Sequence, residues 1–257
     1  MMRKHSRLSL ASLTSFSVAF GLSVAYFCAA SSAAPINYGD FSDFPPGAVM
    51  YTDVTESSGT DPVPLYGAPT LSLNVLEFDP QVFVATSAGG PLDVTDGQLN
   101  FGIDMAPGSG LDGMFIGEAG DYSFAGTGGT GTSVSSSLSV RVDILEVDDV
   151  PLTTPIVVTA TSTFSTDMLA TGGPVGLTPW GNGLFADFGP SLTATLGSFD
   201  RGVTKAEVVI DNQLVTNSEE DSLAFIAKKD FRLVPTGDLI PIPEPSTAIA
   251  GLIFTGL

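Results

Sequence analysis

The residues of this chain best suited to chemistry are acidic side chains in predicted turns and at strand ends. They comprise two runs and three single residues: Asp148-Asp149, Glu219-Glu220-Asp221, Asp104, Glu118 and Asp121. Calcium takes about six to eight oxygen ligands that converge from loops, and paired acids can supply several of them. None of these stretches has the spacing of a helix–loop–helix calcium motif. We therefore expect solvated turns and no cofactor or metal, with a Ca²⁺ site as the less favoured alternative.

Paired carboxylates also permit glycoside hydrolysis, because that reaction needs only an acid and a base or nucleophile. His5 and Cys28 are the only histidine and cysteine, and both lie in an N-terminal segment that we expect to be removed. Its removal excludes Cys/His zinc sites and catalysis by Ser-His-Asp or Cys-His groups. We expect a protein that is not an enzyme, with a carboxylate-dependent glycoside hydrolase as a less favoured alternative.

Two further sequence patterns are candidates for a ligand-binding site. Residues 126–131 match the glycine pattern of a dinucleotide-binding turn, but the serine-rich stretch after them is not the helix that such a turn requires. Trp180, the single tryptophan, lies in a predicted loop over 171–190 and could bind a sugar ring by stacking. A lone tryptophan is more often a packing anchor, and Phe185 and Phe188 could bury it. Both interpretations of Trp180 stay open.

The charge of the chain limits its partners. Three of the nine Lys and Arg lie in the first 34 residues, whereas all 28 acids lie beyond them, so the remainder has a formal charge of −22. Such a surface repels nucleic acid and anionic lipid, and it favours cations and solubility in salt. We therefore expect no nucleic-acid partner.

Short β-rich runs are the elements that must position these side chains. Strict alternation over Leu138–Ile144 predicts a strand, and a second run at 155–164 follows it at hairpin distance. Another alternating run, Thr204–Ile210, leads through a predicted turn at Asp211-Asn212 into a further strand. Other strands are predicted at 48–54, 70–78, 82–86, 97–103, 114–124 (interrupted at 117–121), and 223–234, which ends at Pro235.

Glycine and proline, with 29 and 18 residues, interrupt the chain often, and no long stretch has helical periodicity. We therefore expect an all-β fold, a single antiparallel β-sandwich or jelly roll of about ten strands over residues 37–235. The expectation adds a signal helix before this domain and a short apolar helix after it.

The N-terminus has the layout of a secretory signal peptide. Arg3, Lys4 and Arg7 form a basic start, an apolar stretch occupies 8–27, and small residues follow up to Ala34. Cleavage at the end of this run removes residues 1–34. The sequence therefore predicts an exported protein.

The C-terminus consists of a proline-rich linker at 236–245 and an apolar segment at 246–257. Proline fixes φ and removes backbone donors, so the linker should be extended. The apolar segment predicts a helix that Ser246 or Thr247 can cap. A membrane-spanning helix needs about 20 residues, and this segment supplies only about a dozen.

The run Pro243, Glu244, Pro245, Ser246 and Thr247, with the glycine-containing apolar segment after it, resembles the start of the PEP-CTERM protein-sorting segment. That segment is also classified as the ice-binding protein C-terminal domain. In the family the helix is longer and ends in arginines. The tail here is therefore either incomplete or has lost its sorting role, and we favour incompleteness.

The resemblance implies three partners: sorting and processing machinery, the inner membrane in transient contact if the tail is completed, and exopolysaccharide. It also implies a location at the cell surface or outside the cell. We expect an exported, non-enzymatic protein of the cell envelope or extracellular matrix. A carbohydrate-binding module is the alternative.

Overall fold

The computed structural model describes residues 34–44 and 47–239, which form twelve strands and one short helix. The strands are β1 (Ile36–Ser42), β2 (Val49–Ser57), β3 (Thr70–Ser72), β4 (Val75–Phe78), β5 (Val84–Ala88), β6 (Asp93–Met105), β7 (Gly110–Gly126), β8 (Ser133–Val147), β9 (Val150–Asp167), β10 (Val175–Asp187), β11 (Val203–Asn217) and β12 (Ser222–Asp238). The helix α1 spans Gly189–Leu196. Across the described residues, no helix is both long and apolar enough to span a membrane. The predicted signal peptide apart from its last residue, Ala34, the sorting motif and the apolar tail lie outside them.

The strands pair antiparallel and form two layers. The first layer has the order β1-β2-β6-β11-β8-β9. The second has the order β10-β7-β12, with β5 and β4 along the far edge of β12 and β3 beside β4. The layers are joined where Val203 of β11 pairs with Leu111 of β7. This is the antiparallel β-sandwich that the sequence predicts, with twelve strands instead of about ten.

Side-chain alternation explains how each strand faces the core. In β8, Leu138, Val140 and Val142 are buried while the residues between them are more exposed, as the predicted alternation requires. In β11, which pairs with β8, Val208 and Ile210 are buried on the same inward face. Burial of apolar area stabilises a fold by about 25 cal/mol per Å². The core between the layers therefore supplies the main stabilisation of the domain.

The turn predicted at Asp211-Asn212 is wrong, because β11 continues unbroken through both residues and pairs with β6 and β8 on either side. Asn212 lies on the inward face and is 2% exposed. Its amide has a hydrogen-bonding partner in the interior, so a residue type common in turns is satisfied inside a strand.

The loop predicted at 171–190 is also wrong, because β10 and the start of α1 occupy most of it. β10 hydrogen-bonds only to β7, so it is an edge strand among the described residues. An edge strand tolerates Pro179, which has no N–H to donate.

Likewise, β12 continues past Pro235 to Asp238, because β4 stops pairing with it at Leu233 and leaves one edge of β12 free.

Two other boundaries differ from prediction. β7 shows no interruption at 117–121, since its glycines lie where neighbouring strands approach closely. The single strand predicted at 70–78 is a hairpin of β3 and β4, which turns at Leu73 with φ of 57°.

Candidate functional site

The most distinctive polar site is buried between the two layers. It contains Glu118, Lys228, Asn212, Asn182 and Ser136, and we call it the Glu118 cluster. Oε2 of Glu118 lies 2.8 Å from Nζ of Lys228, and neither side chain has any exposure to solvent. An ion pair so placed has lost the hydration of both charges, and its stability depends on the contacts around it.

Neighbouring strands of the second layer position the two charged residues. Glu118 lies on β7, and Lys228 lies on β12 opposite Gly120. A bulge in β12 between Lys228 and Asp230 shifts the alternation, so that Lys228 and Phe231 both face inward. A Cβ at Gly120 would lie 1.8 Å from the carbonyl oxygen of Ala227, so only glycine fits at this position. The close contact between the two strands therefore depends on Gly120.

Four donors surround the carboxylate of Glu118. Oε1 accepts hydrogen bonds from Oγ of Ser136 at 2.6 Å and from Nδ2 of Asn182 at 3.0 Å. Oε2 accepts one from Nδ2 of Asn212 at 2.5 Å, in addition to its contact with Lys228. Ser136 and Asn212 belong to the first layer, so this carboxylate bridges the sandwich.

The pKa values of the pair reflect its burial. Burial raises the pKa of Glu118, but Lys228 and the hydrogen-bond donors outweigh that effect and hold the pKa below its ordinary value. Burial lowers the pKa of Lys228 to about 8, although Glu118 opposes the shift. The lysine of the Glu118 cluster therefore gives up its proton more readily than an ordinary lysine does.

Aromatic rings enclose the amine of Lys228. Its Nζ lies 5.2, 4.3 and 5.0 Å from the ring centres of Tyr66, Phe83 and Phe231. The ring faces attract the ammonium weakly, but they supply no oxygen acceptor. On the other side of the cluster, Oδ1 of Asn212 is buried and has no hydrogen-bond partner within the described ranges. The cluster therefore contains two groups whose hydrogen bonding is incomplete: the amine of Lys228 and the amide of Asn212.

A second buried carboxylate, Glu56, has a structural role. Its Oε1 accepts hydrogen bonds from the backbone N–H groups of Leu65 and Tyr66, and its Oε2 accepts one from the hydroxyl of Tyr38 at 2.6 Å. The Leu65 and Tyr66 contacts attach the loop after β2 to the sandwich.

Most of the acids predicted as calcium or catalytic candidates hold loops or form ion pairs. Asp148 accepts hydrogen bonds from the backbone N–H groups of residues 200–202. Asp149 pairs with Arg201 at 2.5 Å, and Glu219 accepts hydrogen bonds from Gly129 and Thr132 at the glycine-rich loop.

The single acids are separated from these runs. Asp104 pairs with Lys205 at 2.9 Å, Asp121 pairs with Lys229, and Glu118 alone is buried. No three acidic side chains within the described part of the chain lie close enough together to hold a metal ion.

Trp180 lies inside the protein. The residue is 5% exposed, its ring stacks on Phe164 with centres 5.3 Å apart, and its Nε1–H donates to the carbonyl of Ala227 at 3.1 Å. A sugar could not stack on this ring unless the two layers separated. The arrangement matches the packing anchor that the sequence offered as the alternative interpretation, and it does not provide the exposed ring that a sugar platform requires.

The outer face of the first layer carries a groove of about 400 Å³. A Cβ at Gly102 would lie 2.3 Å from Oγ1 of Thr52, so the threonine side chain occupies the position that a side chain at residue 102 would take. A second hollow of about 300 Å³ follows along β6 and β11. Apart from the inward Asn212, the polar residues that line the two are Thr52, Asp53, Thr55, Asn100, Asp104, Lys205, Glu207, Asp96, Ser137, Ser139, Asp211 and Gln213. We call this surface, together with the neighbouring Gln98, Arg141 and Asp143, the outer polar face.

Sequence reasoning selected Glu118 but missed Lys228 and Asn212. Lys228 lies two residues after Ile226 and four after Ala224, so the alternation of the strand places all three on the inward face. A charged residue at an inward position is expected to be buried with a partner. That signal was available in the sequence. Asn212 carried no such signal, because the turn interpretation of Asp211-Asn212 concealed the continuous strand.

Comparisons with known proteins give no family. No protein-family model matches the chain, and no curated protein matches it. Two similar solved structures are a family 11 xylanase from Neocallimastix patriciarum, with 10% identity and a TM-score of 0.21, and a loop-swap mutant of Xyn11A from Necallimastix patriciarum, with 9% and 0.25. The alignments cover 79% of this chain and 99% and 100% of those chains. Similarity at this level carries no argument about activity.

Proposed function

We propose that this chain is an exported, non-enzymatic protein of the cell envelope or extracellular matrix that associates with exopolysaccharide. The observation that carries the proposal is the order of its segments: a secretory-type N-terminus, a β-sandwich, and the run from Pro243 to Thr247 that resembles a sorting tag. The formal charge of −22 beyond residue 34 suits a solvated, salt-tolerant surface.

The buried carboxylates favour a non-enzymatic role. Glu118 and Glu56 are wholly buried, and donors from the chain itself occupy their oxygens. A glycosidase needs an acid and a base or nucleophile that both reach the substrate. These two carboxylates hold the sandwich together in positions that a substrate does not reach.

The outer polar face is the surface best suited to a polysaccharide chain. About half of its side chains are hydroxyl and amide groups, which donate to and accept from sugar hydroxyls, and the rest are charged and mostly acidic. Gln98 donates to Asp211 at 2.7 Å, so this part of the face is already ordered. The ion pair between Arg141 and Asp143, at 2.7 Å, balances charge on the same face. A neutral or weakly charged polysaccharide therefore fits this surface better than a polyanion does.

Retention on immobilised polysaccharides tests the proposal. We expect the purified chain to be retained on at least one bacterial exopolysaccharide, and we expect the double variant Gln98→Ala/Asn100→Ala to be retained several-fold less. The control is Glu77→Ala/Arg232→Ala, which removes two exposed side chains that lie opposite each other on β4 and β12, on the outer face of the second layer. This variant should leave retention unchanged. Absence of retention on every polysaccharide would contradict the association.

A further inference from the structure

We propose that Lys228 and Asn212 become joined by an intramolecular isopeptide bond, formed by the protein itself with Glu118 as the catalytic acid and base. The bond would link Nζ of Lys228 to Cγ of Asn212 and would cross from the second layer to the first. This inference is independent of the proposed association with polysaccharide.

The geometry of Glu118 is the first argument. The amine of Lys228 and the amide nitrogen of Asn212 contact the same carboxylate oxygen, Oε2, at 2.8 and 2.5 Å. The reacting amine and the reacting amide therefore each contact the same proton-transfer group. Holding reactants in this way converts an encounter between two groups into a local step within one molecule. General acid–base catalysis also requires a carboxyl group within hydrogen-bonding reach of both partners, as here.

The enclosure of Lys228 is the second argument. A protonated amine cannot attack a carbonyl carbon, so the reaction needs the neutral form. Tyr66, Phe83 and Phe231 surround Nζ with rings, and the side chain is wholly buried. A dry interior disfavours separated charges and thereby favours transfer of a proton from the lysine to Glu118. The lowered pKa of Lys228, about 8, favours this transfer, whereas the lowered pKa of Glu118 opposes it, so the reaction proceeds through a minor, neutral form of the pair.

The unpartnered amide oxygen is the third argument. Oδ1 of Asn212 is buried and lacks a hydrogen-bond partner among the residues the structure describes. A buried polar atom without a partner is unusual in a folded protein and calls for an explanation. After proton transfer, rotation of the Asn212 amide about its Cβ–Cγ bond would bring Oδ1 to the carboxylic acid of Glu118, which can then donate to it and make Cγ a better electrophile.

The reaction balances without any co-reactant. Lys228 first passes one proton to Glu118, and the neutral Nζ then attacks Cγ of Asn212 to give a tetrahedral intermediate. Glu118 transfers one proton from Nζ to Nδ2 as the C–Nδ2 bond breaks, and it keeps the other proton as a neutral carboxylic acid. The products are a secondary amide between the two side chains and one molecule of ammonia, so nothing is oxidised or reduced.

Asn182 also contacts Glu118 but is the poorer acyl donor. Its Nδ2 binds Oε1, whereas Lys228 contacts Oε2. Its Oδ1 already accepts hydrogen bonds from Oγ of Ser162 at 2.5 Å and from the N–H of Gly183 at 3.0 Å. Asn182 therefore supports the carboxylate, and Asn212 is the residue that reacts.

The bond would give this chain a covalent cross-link, which disulfides provide in other proteins. Cys28 is the only cysteine, so the domain has no disulfide within the chain. A covalent bond between β11 and β12 would fasten the two layers together and constrain the unfolded chain, as a disulfide does.

Mass spectrometry of the purified chain tests the proposal. We expect an intact mass lower than the sequence mass by one ammonia, and a digest that contains one branched peptide joining Lys228 to Asn212. A succinimide at an asparagine loses the same ammonia, so the branched peptide is the decisive observation. A full sequence mass, or loss of ammonia without the branched peptide, would overturn the proposal.

Variants separate the roles within the cluster. Asn212→Ala and Glu118→Ala should each show the full sequence mass and no branched peptide, whereas Asn182→Ala should retain the branched peptide. If Asn182→Ala abolishes the bond while Asn212→Ala keeps it, the assignment of Asn212 is wrong. The wild-type chain alone decides whether the bond exists, so a variant that fails to fold leaves the test intact.

Discussion

Oε2 of Glu118 and Nζ of Lys228 lie 2.8 Å apart in the interior, and neither side chain is exposed to solvent. The pair joins β7 to β12 in one layer, and hydrogen bonds from Ser136 and Asn212 connect the same carboxylate to the other layer. A single acid therefore organises polar contacts across the whole sandwich, and its loss should affect more than one strand.

Removal of either charge should destabilise the domain strongly. We expect Lys228→Met or Glu118→Gln to lower the free energy of unfolding by about 3–5 kcal/mol where the Lys228–Asn212 bond has not formed, since the remaining group is left buried without its partner. Where the bond has formed, the loss should be larger, since the cross-link is lost as well. The double variant should lose less than the sum of the two single losses, because its members act together. Urea denaturation followed by circular dichroism measures all three.

The next residue along the chain provides the matched control. Lys229 is exposed and pairs with Asp121 at the surface. Exposed ion pairs contribute about 0–1 kcal/mol, so Lys229→Met should change the stability by no more than that. Equal losses for Lys228→Met and Lys229→Met would contradict the account of the cluster.

The glycine opposite Lys228 should not tolerate a side chain. Gly120→Ala places a methyl group 1.8 Å from the carbonyl oxygen of Ala227, so β7 and β12 must separate and we expect a loss of several kcal/mol. Gly176→Ala is the control, since no atom lies within 4 Å of the corresponding position on β10. Thermal unfolding of the two variants should differ clearly, and similar midpoints would show that the close approach is not rigid.

Asp148 should contribute to stability in a pH-dependent way. Partial burial raises the pKa of Asp148, but three backbone N–H donors outweigh it and hold the pKa below the ordinary value of 3.8. A lowered pKa means that the unfolded chain takes up this proton first as the pH falls. The contribution is therefore complete above pH 3.8 and is lost below it, as the pH passes through the folded-state pKa.

Asp148→Asn tests that sign. The variant should be less stable than the wild type at neutral pH by up to about 1 kcal/mol, because solvent screens this partly exposed charge, and the difference should shrink as the pH falls below 3.8. Unfolding by urea at several pH values gives the two curves. A difference that stays constant down to pH 2 would mean that the charge on Asp148 is not what holds the residues at 200–202.

Substitution of Trp180 should lower the stability of the fold and should leave ligand binding unchanged. We expect Trp180→Ala to cost about 3–5 kcal/mol, because a large buried ring and its contact with Phe164 are lost. Trp180→Phe keeps a ring but loses the hydrogen bond to Ala227, and we expect a loss of about 1–3 kcal/mol. Folded Trp180→Phe should be retained on polysaccharide as the wild type is. Selective loss of retention in that variant would restore a sugar-binding role for Trp180.

Strand alternation was sufficient to predict the class of fold. The inward residues of β8, from Leu138 to Ile144, have the burial that the sequence pattern predicts. The pattern failed where long-range contacts decide the outcome. Asn212 and Pro179 are turn-type residues, yet an interior carboxylate satisfies the first and an edge position accommodates the second. Neither condition can be read from neighbouring residues.

The candidate site was only partly predictable for the same reason. Glu118 could be selected as an acid, but its partners lie 64 to 110 positions away in the sequence, except for Ser136. Pairing of β7 with β12, and the facing of β7 and β11, bring them together. Single-sequence patterns describe one strand at a time, so they do not reveal which strands will meet.

Cell fractionation tests the central claim of export most directly. In the cells that naturally make this protein, an antibody against the β-sandwich should detect a chain without residues 1–34, in the envelope or in the extracellular polysaccharide. Detection of the unprocessed chain in the cytosol alone would contradict the account.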